Sequence, residues 1–249
     1  MKIKKLTVLM TSMLLLVFVV SACNSQSSIE SQQVQTVQYT EHFTSEKGNL
    51  LNTTLADEQT TTVDGLLNST GTDLTDEEIA DLLYMREEEK LARDVYMYLY
   101  TKWNLSIFQS ILQSEQKHMD AILELLTVYN IDDPAAAMVA GEFTNSDLQN
   151  LYNTLITQGQ VSLEQALRVG ALIEEVDILD LEDALTQTEK ADIVRVYSNL
   201  LSGSENHLRS FTSQLSRQLG ITYEPVQLDQ EHYQQIISDQ PGRRGRAGN

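Results

Sequence analysis

Six ionisable side chains fall where a packed helix should carry apolar ones. Glu115 and His118 stand three residues apart, and Ile122 and Leu125 continue the same stripe. Glu89 lies seven residues after Leu82 and seven before Tyr96. Glu174 and Asp177 are three apart, between Leu167 and Leu181, and His207 sits among Leu200, Ser204, Phe211 and Leu215. Residues three or four apart share a helix face, so these groups point where their apolar neighbours point. A buried carboxylate or imidazole without a partner is costly. A shared cation removes that cost. Glu-x-x-His offers one oxygen and one nitrogen to one ion, and a carboxylate from each of several helices can bridge two ions. Thiolate ligation is excluded, because the chain has one cysteine, Cys23.

Each of these positions also has a plainer reading. Glu115 and His118 could be a surface pair. Glu89 belongs to the run Glu87-Glu88-Glu89, which could be a solvated face, with Glu88 as the substitute that turns inward. Glu175 could face in instead of Glu174, and His207 could be a core histidine bonded to a carboxylate. Asp177 could be a ligand, a neighbour of ligands or a surface residue. Tyr96 and Arg93 read as packing and ion-pair residues. His42 and His232 receive no role.

The elements that must position these groups are helices. Four times a Ser or Thr is followed three residues later by Glu or Gln before a helical pattern: Thr75/Glu78, Ser106/Gln109, Ser162/Gln165 and Thr186/Glu189. Each matches a capping box. The apolar periodicity predicts helices over 76–102, 107–129, 163–185 and 189–219, the last ended by Gly220. Short links join the first to the second and the third to the fourth. Some thirty residues, 130–161, separate the pairs and include a short helix over 145–156. Two antiparallel hairpins with one long crossover is the ferritin-like arrangement among all-α four-helix bundles.

The rest of the chain reads differently. Lys2, Lys4 and Lys5 precede an apolar stretch from Leu6 to Val20, too short to span a bilayer comfortably, so residues 1–22 read as a signal peptide. Val20-Ser21-Ala22-Cys23 resembles the lipobox of bacterial lipoproteins. That resemblance implies cleavage before Cys23, a lipid on its thiol, and a protein held on a bacterial membrane facing away from the cytoplasm. Residues 23–74 read as a Ser/Thr/Gln-rich tether, 75–219 as the helical body, and 220–249 as a loosely ordered tail. The net charge of -19, from 36 acidic against 17 basic residues, excludes nucleic acid as a partner, because phosphate contacts need Lys and Arg. A homodimer remains compatible with the sequence.

The segment Glu89-Lys90-Leu91-Ala92-Arg93-Asp94-Val95-Tyr96 resembles the first ligand helix of rubrerythrins, and Ser114-Glu115-Gln116-Lys117-His118 resembles their second. Residues 75–218 resemble more closely an uncharacterised ferritin-like family of bacteria and archaea, a domain of unknown function. The likeness lies in 87–96, 114–119, 170–181 and 203–211. It implies a non-haem carboxylate centre of two iron ions, or manganese, held by Glu89, Glu115, His118, Glu174, His207 and Asp177. One departure stands out. Rubrerythrins carry a second Glu-x-x-His on the fourth helix, whereas this chain has Ser204-Glu205-Asn206-His207. Asp177 could supply the lost carboxylate; otherwise the site is mononuclear or unequal.

Three functions are therefore expected in competition. One is a ferroxidase- or peroxidase-like oxidoreductase. The second is a metal-free or metal-stabilised binding module of the cell envelope. The third is iron storage in a shell, which the tether and anchor disfavour.

Overall fold

The computed structural model describes residues 74–239. The expected signal peptide, the lipid-bearing Cys23 and the tether lie outside the described residues, as do residues 240–249. Among the described residues there are six helices and no strand: α1 (Asp76–Trp103), α2 (Ser106–Val128), α3 (Ser146–Gly159), α4 (Leu163–Thr186), α5 (Ala191–Leu219) and α6 (Gln230–Ser238). None of them is long and apolar enough to cross a membrane.

The helix starts separate real caps from coincidental ones. Thr75 forms a full capping box with Glu78, and Asp76, Glu77 and Glu78 place negative charge on the positive end of the α1 dipole. Ser162 caps α4 by accepting from the Gln165 N–H. The other two expected boxes do not form. Ser106 already lies inside α2, behind Leu105, which offers no side-chain cap. Thr186 is the last residue of α4, and α5 begins later, at Ala191. Thr188 does the local work instead, accepting from the Lys190 N–H and donating to Glu78 at 2.6 Å. A sequence box marks hydrogen-bonding capacity, and the preceding link decides whether the backbone can use it. Asn104 and Gly220 end α1 and α5 in the left-handed conformation, with φ of 49° and 66°.

Packing follows chain connectivity. α1 lies chiefly against α2 and α4 chiefly against α5, each pair joined by a short link. α2 also meets α5, and α1 meets α4. α3, within the crossover, packs on α1 and α4, and α6 packs on α5. The core has two apolar layers with a polar level between them. One layer is aliphatic and includes Leu82, Met85, Ile122, Leu126, Leu181, Ile193 and Leu200. The other centres on the rings of Tyr96, Phe108 and Phe211, whose centroids lie 5.3 to 6.4 Å apart. Each fully buried large apolar side chain contributes about 1.5–3 kcal/mol, so both layers are strong enough to hold a costly polar level between them.

The expected loose tail is corrected over residues 221–239. Asp229 caps α6 by accepting from the His232 N–H, and Tyr223, Leu228, Tyr233 and Ile236 are buried. The reason is electrostatic as much as apolar. Glu175 on α4 is buried and accepts from the Tyr223 hydroxyl at 2.6 Å and from the backbone N–H groups of Val226, Gln227 and Leu228 at 2.9, 2.6 and 2.9 Å.

Candidate metal centre

Mid-length α1 is buried almost all round, and this changes how its charges read. Glu87, Glu88, Glu89 and Lys90 are all inside, each with a different task. Glu87 accepts from Thr144 and Asn145, pinning the start of α3. Lys90 donates to Asp94 at 2.6 Å and to the carbonyls of Val139 and Glu142 at 2.8 and 3.0 Å, fixing the crossover loop. Glu89 faces α2. Glu88 faces a pocket toward α3 and α4. The expectation that this run is a solvated face, or that Glu88 replaces Glu89, is set aside by the crossover, which covers the face that α2 and α4 leave open.

Glu89, Glu115 and His118 bring one ligand atom each to within 4.8 Å of one another, and so do Glu115, Glu174 and His207. Glu115 belongs to both groups. Its Oε2 lies 2.8 Å from His118 Nδ1, and its Oε1 lies 2.8 Å from His207 Nδ1. On the outer sides, His118 Nδ1 is 3.2 Å from Glu89 Oε2, and His207 Nδ1 is 3.4 Å from Glu174 Oε2. The two imidazoles stack with centroids 5.6 Å apart. Thus one carboxylate is shared between two half-sites, each completed by one histidine and one further glutamate. All five groups are buried.

The hydrogen bonding around them is incomplete in a telling way. Glu89 Oε1, Glu115 Oε1 and His207 Nδ1 have no hydrogen-bond partner. Glu115 Oε1 and His207 Nδ1 are close, but out of line for a hydrogen bond; they point into common space. Native interiors rarely leave buried polar atoms unpaired without an ion or water to satisfy them. Oxygen and imidazole donors around one point suit a divalent iron, manganese or zinc ion.

Protons do the work of cations when no metal is bound. Burial pulls the imidazoles toward neutrality, but Glu89 and Glu115 outweigh it and raise His118 to about 11. Glu174 and Glu115 likewise raise His207 to about 10. Burial raises Glu89 to about 7, against the opposing charge of His118. Burial also pushes Glu115 upward, but the two histidines prevail and lower it to about 2. A carboxylate between two imidazolium groups is the electrostatic counterpart of one between two metal ions.

Asp177 lies beside both three-ligand groups without joining either. It is buried, and the Ser204 hydroxyl donates to its Oδ2 in a short hydrogen bond, while Oδ1 has no partner. Burial first, then the charges of Glu89 and Glu174, hold its carboxyl well above the usual carboxylate range. The residue standing where a fourth-helix carboxylate was expected therefore reaches the aspartate from α4. Glu174 takes the inward position, and Tyr96 donates to it in a short hydrogen bond. Glu175 is equally buried but serves the C-terminal segment. Arg93 pairs with Asp94 at 2.7 Å and donates to Gln116 at 2.8 Å, as an ion-pair residue should.

One contributor escaped the sequence reading. Gly203 lies against His118: a Cβ there would stand 2.7 Å from Nε2. Its signal was the glycine one residue before Ser204, inside a helix, where glycine costs about 1 kcal/mol and needs a packing reason. Glu88, weighed in the sequence as the substitute for Glu89, is buried beside it, and nothing in a run of three glutamates separates the two.

Residues 78–240 match a family model described as an uncharacterised protein domain, DUF2202. The chain belongs to this family. An uncharacterised protein of the archaeon Methanocaldococcus jannaschii, MJ0754, is 47% identical over 170 residues, which is 68% of this chain and 91% of the relative. The crystal structure titled hypothetical protein MJ0754 superimposes with a TM-score of 0.66, covering 68% of this chain and 95% of that one. The DUF2202 match begins in the first turn of α1 and runs through α6. The C-terminal helix is therefore part of the family's domain.

Proposed function

We propose that this DUF2202 domain is a ferritin-like four-helix bundle built around a two-metal carboxylate centre, iron in first place and manganese as the alternative. The observation that carries the proposal is the double use of Glu115, whose two oxygens each face a different buried histidine. Glu89 and His118 would hold one ion, Glu174 and His207 the other, and Glu115 would bridge them. Charge supports two ions over one. Three carboxylates and two neutral imidazoles around two divalent ions leave one positive charge, and Asp177 beside them balances it.

A bound pair of iron ions supplies one-electron redox chemistry toward dioxygen or peroxide. The chain's own residues set the conditions. Glu115 fixes the spacing of the half-sites. Tyr96 and Ser204 orient Glu174 and Asp177 through hydroxyl donors. The aliphatic and aromatic layers exclude bulk water above and below, which strengthens each electrostatic contact. We propose ferroxidase- or peroxidase-like activity on a protein anchored through Cys23 to a bacterial membrane, facing away from the cytoplasm.

Anaerobic titration of the metal-stripped protein with Co(II) or Fe(II) tests the centre. Two equivalents are expected in the wild type and none bound tightly in Glu115→Ala. A wild type that binds no metal ends the redox reading and leaves an envelope binding module. Cys23→Ser tests the anchor: the protein should move from the membrane fraction to the soluble one and lose fatty-acid label.

A further inference from the structure

The proposed ligands differ in their relation to solvent. Glu89, Glu115 and Glu174 are each 1% exposed, whereas His118 and His207 are 9% and 8% exposed. Water therefore touches the site chiefly at its imidazoles. Both rings turn Nδ1 toward the carboxylates. The other edge of His118, with Nε2 and Cε1, lies against the backbone of Gly203 on α5, which is itself only half-buried. Three of the four seams between neighbouring bundle helices are closed. α3 packs over the seam between α1 and α4. Residues 223–236 close the seam between α4 and α5: Glu175 accepts from the Val226, Gln227 and Leu228 N–H groups, and Arg209 donates to the Ile236 carbonyl at 2.7 Å. Arg86 and Arg93 cross from α1 to α2, donating to the Met119 carbonyl at 2.9 Å and to Gln116 at 2.8 Å. Among the described helices, none packs over both α2 and α5.

We propose that divalent cations enter and leave the centre through the seam between α2 and α5, past His118 and His207. The inference rests on the two-metal reading above. The other seams are poor routes. Two guanidinium groups between α1 and α2 repel an approaching cation, and packed chain blocks the remaining two. Small side chains frame the open seam. Gln116 and Met119 turn toward α1, which places Ser114 and Ala121, four residues before and three after His118, on its α5 side. Both are half-buried. On α5, Ser204 turns toward Asp177 of α4, which places Gly203 and the exposed Ser210 on the α2 side of His207. None of these side chains is long enough to cover an imidazole. Serine hydroxyls can also hydrogen-bond the water carried by an ion. A cation arriving here meets the imidazoles first and the buried carboxylates second, so it exchanges water for ligands in steps and is never left bare in the core.

Stopped-flow uptake of Co(II) by the metal-free full chain tests this. Ser210→Phe and Ser114→Phe each lay a ring over the seam without altering a ligand. Uptake and chelator-driven release should both slow about tenfold. Two equivalents should still bind with unchanged affinity, because a narrowed entrance alters both rates and not the end states. Ser216→Phe, on the exposed outer face of α5, should bind at the wild-type rate. In the metal-free protein, a neutral paramagnetic solute should broaden the His118 and His207 Cε1–H resonances of the wild type, and broaden them less in Ser210→Phe. Should Ser114→Phe fail to fold, Ser210→Phe, at an exposed position, decides by itself. Unchanged rates with two equivalents bound overturn the seam as the entrance and leave the two-metal reading standing. Slower uptake with an equivalent lost also overturns it, because the added ring then disturbs the ligands themselves. A wild type that binds no Co(II) overturns both readings.

Discussion

Gly203 shows how a single atom can govern one half of the proposed centre. The absence of a Cβ leaves room for the His118 ring, and an added methyl would press on Nε2 and Cε1 at 2.7 and 2.8 Å. Two opposing effects follow from Gly203→Ala. Helix propensity gains about 1 kcal/mol, and overpacking costs about 1–3 kcal/mol. Stability should therefore change little, because the strain can be relieved by turning the imidazole. Metal binding should change much more. The half-site of Glu89 and His118 should weaken at least about tenfold, or ~1.4 kcal/mol, while that of Glu174 and His207 persists. A titration showing one tight equivalent in place of two is the expected outcome; two unchanged equivalents would show that His118 does not depend on this glycine.

At the level of elements, two buried glutamates act as docking pins. Glu87 on α1 captures the N-terminus of α3, and Glu175 on α4 captures the segment leading to α6. Each accepts backbone N–H groups that would otherwise go unpaired. Glu175→Ala removes the acceptor for one hydroxyl and three backbone donors. Hydrogen bonds to a charged group are worth about 1.5–3 kcal/mol each when well formed, but the freed segment can regain water. The expected result is local: amide protection lost over residues 221–238, a global cost of ~2–3 kcal/mol, and α1 and α2 unchanged. Hydrogen exchange with residue-level readout checks it. Uniform loss of protection would instead mean that the C-terminal segment supports the whole fold.

For the whole molecule, the proton inventory predicts how stability depends on pH. His118 and His207 are raised from 6.5 to about 11 and about 10 by their carboxylates. That stability is fully present below the unfolded value and is lost as pH rises toward those limits. Glu89, raised from 4.5 to about 7 by burial, acts in the same direction. Glu115, lowered from 4.5 to about 2 by the two histidines, acts in the opposite one: its contribution is lost as pH falls through that range. The metal-free protein should thus be most stable near pH 4.5 and lose stability above it, first through Glu89 and, from about pH 6.5 upward, through the two histidines as well. Metal ions replace the protons, so binding should release protons and tighten as pH rises. Thermal unfolding from pH 5 to 9, with chelator and with added metal, should show the alkaline decline only in the chelated sample. A flat metal-free profile would mean that the histidines are not charged inside the fold.

Local sequence was enough for the helices and for much of the candidate ligand set. Apolar spacing placed α1, α2, α4 and α5 within a few residues. The Glu-x-x-His of Glu115 and His118, and the inward stripe of Glu174 and His207, could be read because residues three or four apart share a face whatever surrounds the helix. Tertiary structure decided which of several equivalent charges each partner takes. Glu87, Glu88, Glu89 and Lys90 follow one another in a single charged run, yet they face a loop, a pocket, the candidate metal centre and a crossover. The Ser204–Asp177 bond, the Gly203–His118 contact and the order of residues 221–239 also depend on groups far apart in the chain. Periodicity records which side of a helix is buried; it carries no information about which distant atom will be waiting there, and that atom determines whether a buried charge becomes a ligand, a docking pin or the wall of a pocket.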